Sequence, residues 1–452
     1  MNIDWLYREV GLRIIDLARR TPTLDILRRL KRTEYISADA LREIQLTQLR
    51  KLLAHCAQNV PYYQDVFKEY HFDPGAVRSV DDLHGLPILT KSDIRKNFSR
   101  LIARNWKAFK PRPKETGGST GEPLRMYHDS RSHGALWANI YRGFGYGGYR
   151  LGEKYLTLAS GSLAPKKLKA GRWFYFRLQN SIPFPSYQLQ KGAFHELLEV
   201  LRRERPKYIY GYSSSLAGCA IVFLREGIRV EGMQAVFTTA DMLYPKQRRM
   251  IEEAFGATVF DNYGCPEAGL MSWECDQHDG YHYNIESCLI EILDQNENGV
   301  GRVIATNLFN FAFPIVRYDT GDVATLGGEE RCKCGRSHRK VKALLGRQRD
   351  IITLPSGRMI HGAFFNHLPD FYNSGKVARF QIVQPELRQL EVHLEMQLGF
   401  DISDMEYLPN KLQKLLGDGI AVTVVQGEFR ESPYSRKHRS VISDVDNMWT
   451  RE

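Results

Sequence analysis

One short loop has the composition of a phosphate-binding segment. Residues 116–121 read "TGGSTG", which combines three glycines with three hydroxyl side chains: Thr116, Gly117, Gly118, Ser119, Thr120 and Gly121. Glycines let backbone N–H groups turn toward an anion, and hydroxyl groups add donors, so the loop suits a polyphosphate. It is not a Walker A loop, because Glu122 and Pro123 follow where that motif has Gly-Lys-Ser/Thr. Taken alone, the same composition also fits a flexible turn.

A second set of residues has the chemistry of a structural metal site. The segments "CDQHDGYH" and "CKCGR" lie on separate stretches of the chain and together supply a tetrahedral Cys₃His set: Cys275, His278, Cys332 and Cys334. His282 and His338 are the alternative histidines. Four soft ligands leave no open position, so a zinc ion here would hold loops together. The alternative is a group of buried reduced thiols beside surface histidines.

The overall composition is that of a globular protein with anionic partners. The chain has 452 residues, with 63 Lys and Arg against 52 Asp and Glu, a net charge of +11. This charge favours nucleotides, coenzymes or an anionic membrane, but its scattered distribution and the lack of a known module argue against nucleic acid. The seven cysteines do not suggest a disulfide framework, and we recognise no signal peptide or membrane span, so we expect a cytoplasmic protein.

The first 50 residues are predicted to form a helical, basic extension. Residues 1–32 hold eight Lys and Arg against four acids, with apolar residues at helical spacing between them. Such a helix could lie on an anionic bilayer at the inner face of the membrane. The alternative is a helix packed on the body of the protein with a solvated basic face.

The middle of the chain alternates between strand and helix patterns. From Pro206, "KYIYGY", "MQAVFTTA" and "TVFDNYG" read as strands, separated by helices over "SSSLAGCAIVFLREG" and "PKQRRMIEEAFG". This alternation predicts a parallel sheet covered on both faces. Ligands bind beyond the carboxyl ends of such strands, where "GYSSS", "TTAD" and "DNYGCPE" lie in this chain.

A different pattern begins after about residue 350. Strands over "VARFQIV", "RQLEVHLEMQ" and "IAVTVVQG" surround a helix over "DMEYLPNKLQKLLGDG". The charged run "LGRQRD" before them suits an exposed connection. We therefore predict an α/β protein with a large N-terminal domain of layered sheets and helices, residues 1–346, and a small mobile α+β domain, residues 347–452.

The order of these motifs resembles that of a known superfamily. "TGGSTGEP", "TTAD", "DNYGCPEAG", "RYDTGD", "LGRQRD" and "YSRKHR" follow one another as in the adenylate-forming, or acyl-CoA synthetase, superfamily. The resemblance is closest to phenylacetate-CoA ligase and its relatives in capsule and exopolysaccharide biosynthesis, and it covers nearly the whole chain. Six short motifs in the same order are far more specific than any one alone.

The resemblance implies a role for each matching residue. Lys437 would be the catalytic lysine, Glu267 would help to hold Mg²⁺, and residues 116–121 would grip the β and γ phosphates of ATP. Tyr263 would stack near adenine, and Asp322 would accept hydrogen bonds from the ribose. The complete set implied to line the nucleotide pocket beyond the loop is Thr239, Ala240, Asp241, Asn262, Tyr263, Gly264, Asp322 and Arg347.

The implied reaction joins ATP to a carboxylic acid, releases pyrophosphate and then passes the acyl group to coenzyme A. An amine is the alternative acceptor, and a zinc-stabilised scaffold without catalysis is the alternative outside enzymes. A homodimer would also be typical of the family. The candidate pocket walls for the acid are Tyr141, Phe144, Tyr212, Ser213 and Ser214, although the aromatic stripe "WANIYRGFGYGGY" is also typical of a core. Glu122 stands where many members have lysine.

Overall fold

The structure is a computed structural model. It describes residues 7–115, 124–159, 163–164, 170–362, 364–365, 368–372, 376–417, 419–430 and 439–450.

The N-terminal region is helical. A π-helical turn, Tyr7–Gly11, leads into helices α1 (Leu12–Arg19), α2 (Thr23–Thr33), α3 (Ala38–Asn59), α4 (Pro61–Glu69), α5 (Lys91–Lys96) and α6 (Phe98–Leu101), with 3₁₀ turns at Asp81–Gly85 and Trp106–Phe109. The basic segment thus forms two helices, α1 and α2, because Arg20 adopts a left-handed conformation and Pro22 follows it. Among the described residues, no helix is long and apolar enough to cross a bilayer.

A five-stranded sheet forms one layer of the large domain. Its strands are all parallel and run in the order β4-β3-β5-β6-β7. These strands and the helices that precede and connect them are α7 (Ser130–Tyr146), β3 (Tyr155–Ala159), α8 (Ala170–Leu178), β4 (Ser181–Pro185), α9 (Phe194–Glu204), β5 (Tyr208–Tyr212), α10 (Ser213–Arg225), β6 (Ala235–Thr239), α11 (Pro245–Phe255) and β7 (Thr258–Phe260).

The predicted alternation of strands and helices is confirmed with one correction. The stretch "TVFDNYG" is not a single strand. Strand β7 ends at Phe260, and a new strand, β8, begins at Asn262 in a different sheet. Asp261 marks the change of direction between them, where its carboxylate accepts hydrogen bonds from the Thr238 and Tyr281 hydroxyls. The chain therefore crosses from one sheet to the next at this point.

The second large sheet has seven antiparallel strands in the order β11-β12-β13-β14-β10-β9-β8. Their bounds are β8 (Asn262–Cys265), β9 (Leu270–Glu274), β10 (Tyr281–Tyr283), β11 (Cys288–Leu293), β12 (Gly301–Asn307), β13 (Tyr318–Leu326) and β14 (Lys340–Arg347). A separate hairpin, β1 (Arg112–Glu115) with β2 (Arg125–His128), lies on either side of residues 116–123. Helix α7 joins the two sheets, because the Phe144 ring stacks on Phe237 of β6 at 4.4 Å and meets Trp273 of β9 at 5.7 Å.

The C-terminal region has its own core. The elements are β15 (Ile351–Thr353), β16 (Met359–His361), α12 (Pro369–Tyr372), β17 (Val377–Glu386), β18 (Gln389–Met396), α13 (Leu408–Leu416), β19 (Ala421–Gln426) and β20 (Val441–Ser443). Strands β19-β18-β17-β20 form a four-stranded sheet, as the sequence pattern predicts for β17 to β19. Its core begins at Ile352, five residues after strand β14 of the large sheet ends at Arg347.

Candidate active site

The carboxyl ends of two central parallel strands carry a connected group of hydroxyl and carboxylate side chains. The Thr239 hydroxyl, at the end of β6, donates to the Asn262 side-chain oxygen at 3.0 Å. The Asp241 carboxylate accepts from the Ser214 hydroxyl at 2.6 Å, and the Asp241 carbonyl accepts from Ser213 at 3.1 Å. Between Thr239 and Asp241, Ala240 has a φ of +71°, a left-handed conformation that is rare for alanine and marks a constrained turn.

Three predicted nucleotide-site residues meet in one contact network. The Tyr263 hydroxyl donates to Asp322 Oδ2 at 3.0 Å, and Arg347 Nε lies 3.0 Å from Asp322 Oδ1. Asp322 and Arg347 are paired directly across strands β13 and β14, so the sheet fixes their separation. Arg347 is further held by a hydrogen bond to the Thr320 carbonyl at 2.7 Å. The network places a buried carboxylate at the boundary between the two domains predicted from the sequence.

The charge on Asp322 depends on Arg347. Burial raises the pKa of the Asp322 carboxyl, while the Arg347 cation and the Tyr263 hydroxyl lower it. In turn, the Asp322 carboxylate raises the pKa of Arg347. Burial raises the pKa of the Tyr263 phenol well above its usual value, so the phenol keeps its proton and donates it. Each carboxylate oxygen retains a second lone pair, so Asp322 can accept from a ribose hydroxyl as well.

Glu267 lies in a tight 3₁₀ turn between strands β8 and β9. The turn spans Pro266–Ala268, and the Glu267 side chain is half-buried rather than capping a longer helix. Burial lowers the pKa of the Lys114 ammonium on the β1–β2 hairpin, and the nearby Glu267 carboxylate opposes that shift. Glu267 therefore offers a carboxylate oxygen of the kind that Mg²⁺ prefers, facing a cation on the hairpin that flanks the glycine-rich loop.

Two predicted parts of the site lie outside the described residues, namely Thr116 to Gly121 and Lys437. Their flanking residues are described. Arg439, two positions after Lys437, forms an ion pair with Asp350, where Arg439 Nε lies 3.0 Å from Asp350 Oδ1. This contact ties the end of the "YSRKHR" segment to "LGRQRD", the predicted connection between the two domains.

The predicted pocket walls fall into two groups. Phe144 is fully buried, and Tyr141 is buried with its hydroxyl oxygen accepting from Gln179 Nε2 at 3.2 Å, so both belong to the core in this structure. This is the alternative expected from the sequence, because the aromatic stripe "WANIYRGFGYGGY" is also typical of a core. Ser213 is buried beneath the Asp241 turn, whereas Tyr212 and Ser214 keep exposed surface at the strand ends.

The structure brings four of the residues considered for a zinc site together in one compact cluster. The ligand atoms of Cys275, His282, Cys332 and Cys334 all lie within 4.8 Å of one another. Cys275 Sγ is 3.9 Å from Cys332 Sγ, and Cys334 Sγ is 3.4 Å from His282 Nε2. A tetrahedral zinc site with Zn–S bonds of about 2.3 Å and a Zn–N bond of about 2.0 Å has edges of roughly 3.8 and 3.5 Å. The observed separations therefore fit a zinc tetrahedron.

The histidine in this cluster already has the correct ring nitrogen available. His282 Nδ1 lies 2.9 Å from the His338 carbonyl oxygen, which can only accept, so Nδ1 carries the proton and Nε2 is free for a metal. The hydrogen bond from Cys275 lowers the pKa of the Cys334 thiol, and the same contact raises that of Cys275. One of these thiols is thus already prone to lose its proton, as zinc binding requires.

The structure corrects the predicted ligand set, because His282 takes the place of His278. Strand β10 is antiparallel to β9, so His282 points to the same face of the sheet as Cys275 just beyond the end of β9. His278 instead lies in the turn between the strands with a φ of +48°. Its Nδ1 is 3.3 Å from Glu274 Oε2, and its ring packs against Phe260. The period-two pattern of "YHY" would have identified His282 from sequence.

Comparison with known proteins agrees with the fold. No family model matches the chain. The chain is 24% identical over 315 residues to protein CapK of Staphylococcus aureus, covering 69% of each chain. It is also 24% identical over 347 residues to phenylacetate-coenzyme A ligase of Thermus thermophilus, covering 71% of this chain and 73% of that one.

A solved structure shares the architecture of nearly the whole chain. A 2-hydroxyisobutyryl-CoA ligase in complex with 2-HIB-AMP in the postadenylation state superposes with a TM-score of 0.71 at 19% identity and covers 92% of both chains. This likeness shows that the chain has the fold of that ligase. In sequence, the chain is similar to the phenylacetate-coenzyme A ligases and to CapK.

Proposed function

We propose that this protein activates a carboxylic acid with ATP and then transfers the acyl group to coenzyme A. In the first step a carboxylate oxygen of the acid bonds to the α-phosphorus of ATP, and the bond to pyrophosphate breaks. In the second step the thiol sulfur of coenzyme A bonds to the acyl carbon, and AMP leaves. The proposal rests on the buried Asp322, held between Tyr263 and Arg347, in a chain similar to phenylacetate-coenzyme A ligases over 71% of its length.

The described residues have defined tasks in this reaction. Asp322 would accept the ribose hydroxyls, with Arg347 keeping it ionised and Tyr263 fixing its second oxygen. Glu267 would hold Mg²⁺, which neutralises phosphate charge when bound. The Thr239–Asp241 turn would line the nucleotide pocket at the strand ends. Lys437, which lies outside the described residues, would bring a cation to the reacting carboxylate and α-phosphate, as the resemblance implies.

Pyrophosphate release from Mg-ATP is the direct test. The intact protein is incubated with a panel of aryl, fatty, amino and sugar acids, with and without coenzyme A. Release that depends on one class of acid, together with consumption of the coenzyme A thiol, supports the proposal. Release that requires an added amine and leaves the thiol unused would establish the amine acceptor instead. Absence of release and of AMP binding would contradict adenylation and favour the scaffold.

We further propose that the Cys275, His282, Cys332 and Cys334 cluster holds a structural zinc ion. The ion would connect the turn after β9, strand β10 and the turn that joins β13 to β14. Since β13 and β14 carry Asp322 and Arg347, the ion would stabilise the strands that build the nucleotide site. It would supply no reactive position, because all four ligands come from the protein.

The proposed membrane contact involves two helices rather than one. Exposed apolar side chains of the π-turn and α1 stand beside those of α8; together they form a surface that we call the apolar patch: Val10, Ile14, Leu17, Trp173 and Phe174. Leu17 is 81% exposed, Trp173 55% and Phe174 53%. The two helices touch where Gly11 meets the Leu178 backbone, and Phe174 lies one turn before Leu178.

The charge around the apolar patch favours an anionic bilayer as its occupant. Arg13, Arg20 and Arg177 are exposed on the same two helices, and Lys166, Lys167 and Lys169 precede α8 in sequence. In sedimentation with vesicles, the protein should bind those containing about a third phosphatidylglycerol and not pure phosphatidylcholine. Replacement of both Trp173 and Phe174 by alanine should abolish binding, whereas L398A, at a fully exposed leucine elsewhere, should not. If the protein is instead a dimer that dissociates in the double variant, the apolar patch is an interface with a second copy of this chain.

A further inference from the structure

One face of the β1–β2 hairpin is unusually basic. Arg112 pairs with His128 and Lys114 with Met126 across the two strands, so all four side chains project from the same face. Met126 and His128 are buried, which shows that this face is turned into the protein. This face of the hairpin thus carries the buried His128 imidazole, the half-buried Lys114 and the exposed Arg112.

His128 is buried without a partner. It is only 4% exposed, and within the part of the chain that the structure describes neither Nδ1 nor Nε2 has a hydrogen bond. A buried imidazole that leaves both nitrogens unpaired costs free energy, since water no longer solvates them. Such a group is commonly explained by a ligand that supplies the missing contact.

Two basic side chains, Lys114 and His133, lie near enough to the His128 imidazole to lower its pKa further than burial does. His133, in the first turn of α7, lies with its Nε2 3.4 Å from Arg19 Nη1 at the end of α1. Arg112 reaches the same place, because its Nη2 donates to the Arg19 carbonyl at 2.9 Å. Arg19 is held over the Tyr175 ring of α8 at 4.0 Å. We call this group the basic cluster: Arg19, Arg112, Lys114, His128 and His133.

The basic cluster is not neutralised by the acids around it. Glu267 acts on Lys114 from one side, as described for the candidate site. The carboxylate of Asp129, next to His128, accepts instead from the backbone N–H groups of Ser132 and Phe311, both at 2.7 Å. Within the described ranges of the chain, no cation of the cluster forms an ion pair with a carboxylate at hydrogen-bonding distance. Burial and the neighbouring cations lower the pKa of His133 to about 3, and the same two causes lower that of His128.

We propose that the basic cluster binds a multiply charged oxyanion of the diphosphate type. The cluster combines the planar donors of two arginines, an ammonium group and two imidazoles, a set that can contact several oxygen atoms of one anion. The basic cluster adjoins the proposed reaction site at Lys114, whose ammonium group lies near the Glu267 carboxylate. The inference rests on the proposed function for the source of the anion, either the pyrophosphate end of ATP or a second anionic group on the acid.

Binding of such an anion should be linked to proton uptake. With the site empty, the cations on β1, α1 and α7 keep His128 and His133 neutral, whereas a dianion among them would favour the protonated imidazoles. The affinity should therefore rise as the pH falls from about 8 to about 6, because protonation of histidine is then less costly. A site made only of arginine and lysine would show little change over this range.

Calorimetric titration of the intact protein with inorganic pyrophosphate tests the proposal. K114Q and R112Q should each weaken binding about tenfold, the loss expected for one charge-assisted contact. The matched control is R125Q, since Arg125 lies on the opposite face of the same hairpin and pairs with exposed Glu115 at 3.0 Å. R125Q should change the affinity less than about twofold. H128N should remove most of the proton uptake, measured in buffers of different ionisation enthalpy, and its melting temperature confirms that it folds.

Measuring both pyrophosphate affinity and KM for the acids in these variants identifies which ligand carries the anion. If K114Q and R112Q weaken pyrophosphate binding, the cluster holds the diphosphate end of ATP. If they leave pyrophosphate unaffected but raise KM for acids with a second anionic group and not for monoacids, the cluster holds the substrate. Both results support an oxyanion site. Equal behaviour of K114Q, R112Q and R125Q in both assays would overturn it, while intact AMP binding and acid-dependent pyrophosphate release would show that the proposed function still stands.

Discussion

The proposed zinc cluster and the proposed nucleotide site lie on the same seven-stranded sheet but differ in how many of their residues that sheet holds in place. All four candidate ligand atoms come from strand β10, the turn after β9 and the turn between β13 and β14, and they lie within 4.8 Å of one another. The proposed nucleotide site instead combines Asp322 and Arg347, which the sheet holds in place, with Lys437, which precedes β20 in the sequence. Residues that bind a structural ion can be fixed before binding, whereas residues that act on a substrate must also admit and release it.

The difference also appears in the hydrogen bonds of each site. His282 is fixed by the His338 carbonyl, and the metal would satisfy its remaining nitrogen. Asp322 is fixed by Tyr263 and Arg347 and keeps free lone pairs for a ligand. The first arrangement serves stability, and the second serves reversible binding. Substitutions at the two sites should therefore separate loss of fold from loss of activity.

The largest effect is expected at the metal cluster. H282N should reduce the zinc content from about one ion per chain to near zero, because a three-thiol site without imidazole binds zinc far more weakly. The melting temperature should fall by about 10 °C or more, since the loops tied by the ion become free. Metal content by mass spectrometry and thermal unfolding measure both quantities.

The matched control is H278N, which replaces the other histidine of the same hairpin. His278 contacts Glu274 and Phe260 but lies outside the cluster. It should keep the zinc and lose at most a few degrees of melting temperature. If H278N lost the metal and H282N kept it, our assignment of the ligands would be wrong.

A smaller effect, confined to binding, is expected at Asp322. D322N removes the charge that pairs with Arg347 and weakens the acceptor for the ribose, so the affinity for AMP should fall about 30-fold or more. Zinc content should not change. Fluorescence or calorimetric titration with AMP measures the loss, and D319N is the control, because Asp319 on the same strand pairs with Arg302 at 3.1 Å. An unchanged AMP affinity in D322N would place the nucleotide elsewhere.

Sequence reasoning identified most of the fold for clear physical reasons. The parallel strands and their helices carry strong periodic patterns with Pro245 and Gly256 at the ends of α11, so their placement was predictable. The division of "TVFDNYG" between two sheets was not, because a continuous β-rich run does not show that Asp261 redirects the chain. The break between α1 and α2 could have been read from Pro22.

The site was predictable where short motifs carry it and less so where partners come from distant strands. Asp322 and Arg347 were predicted separately, but only the register of β13 and β14 brings them together. The choice of His282 over His278 depends on strand alternation, which a count of spacings misses. The basic cluster was not predicted, since it joins α1, the hairpin and α7, and nothing local in the sequence links them.

The smallest effect is expected where the two domains meet, at Asp350. Its ion pair with Arg439 holds the chain two residues from Lys437. D350N should lower kcat for acid-dependent pyrophosphate release about three- to tenfold and leave KM for ATP nearly unchanged. A partly buried ion pair contributes about 1 kcal/mol, and this one acts on the positioning of the segment that carries Lys437. D444N, which removes the exposed Arg430–Asp444 pair at 2.5 Å on the same domain, should leave both constants unchanged. A rise in KM with kcat preserved would show that Asp350 supports nucleotide binding and that the fixed part of the site extends beyond Arg347.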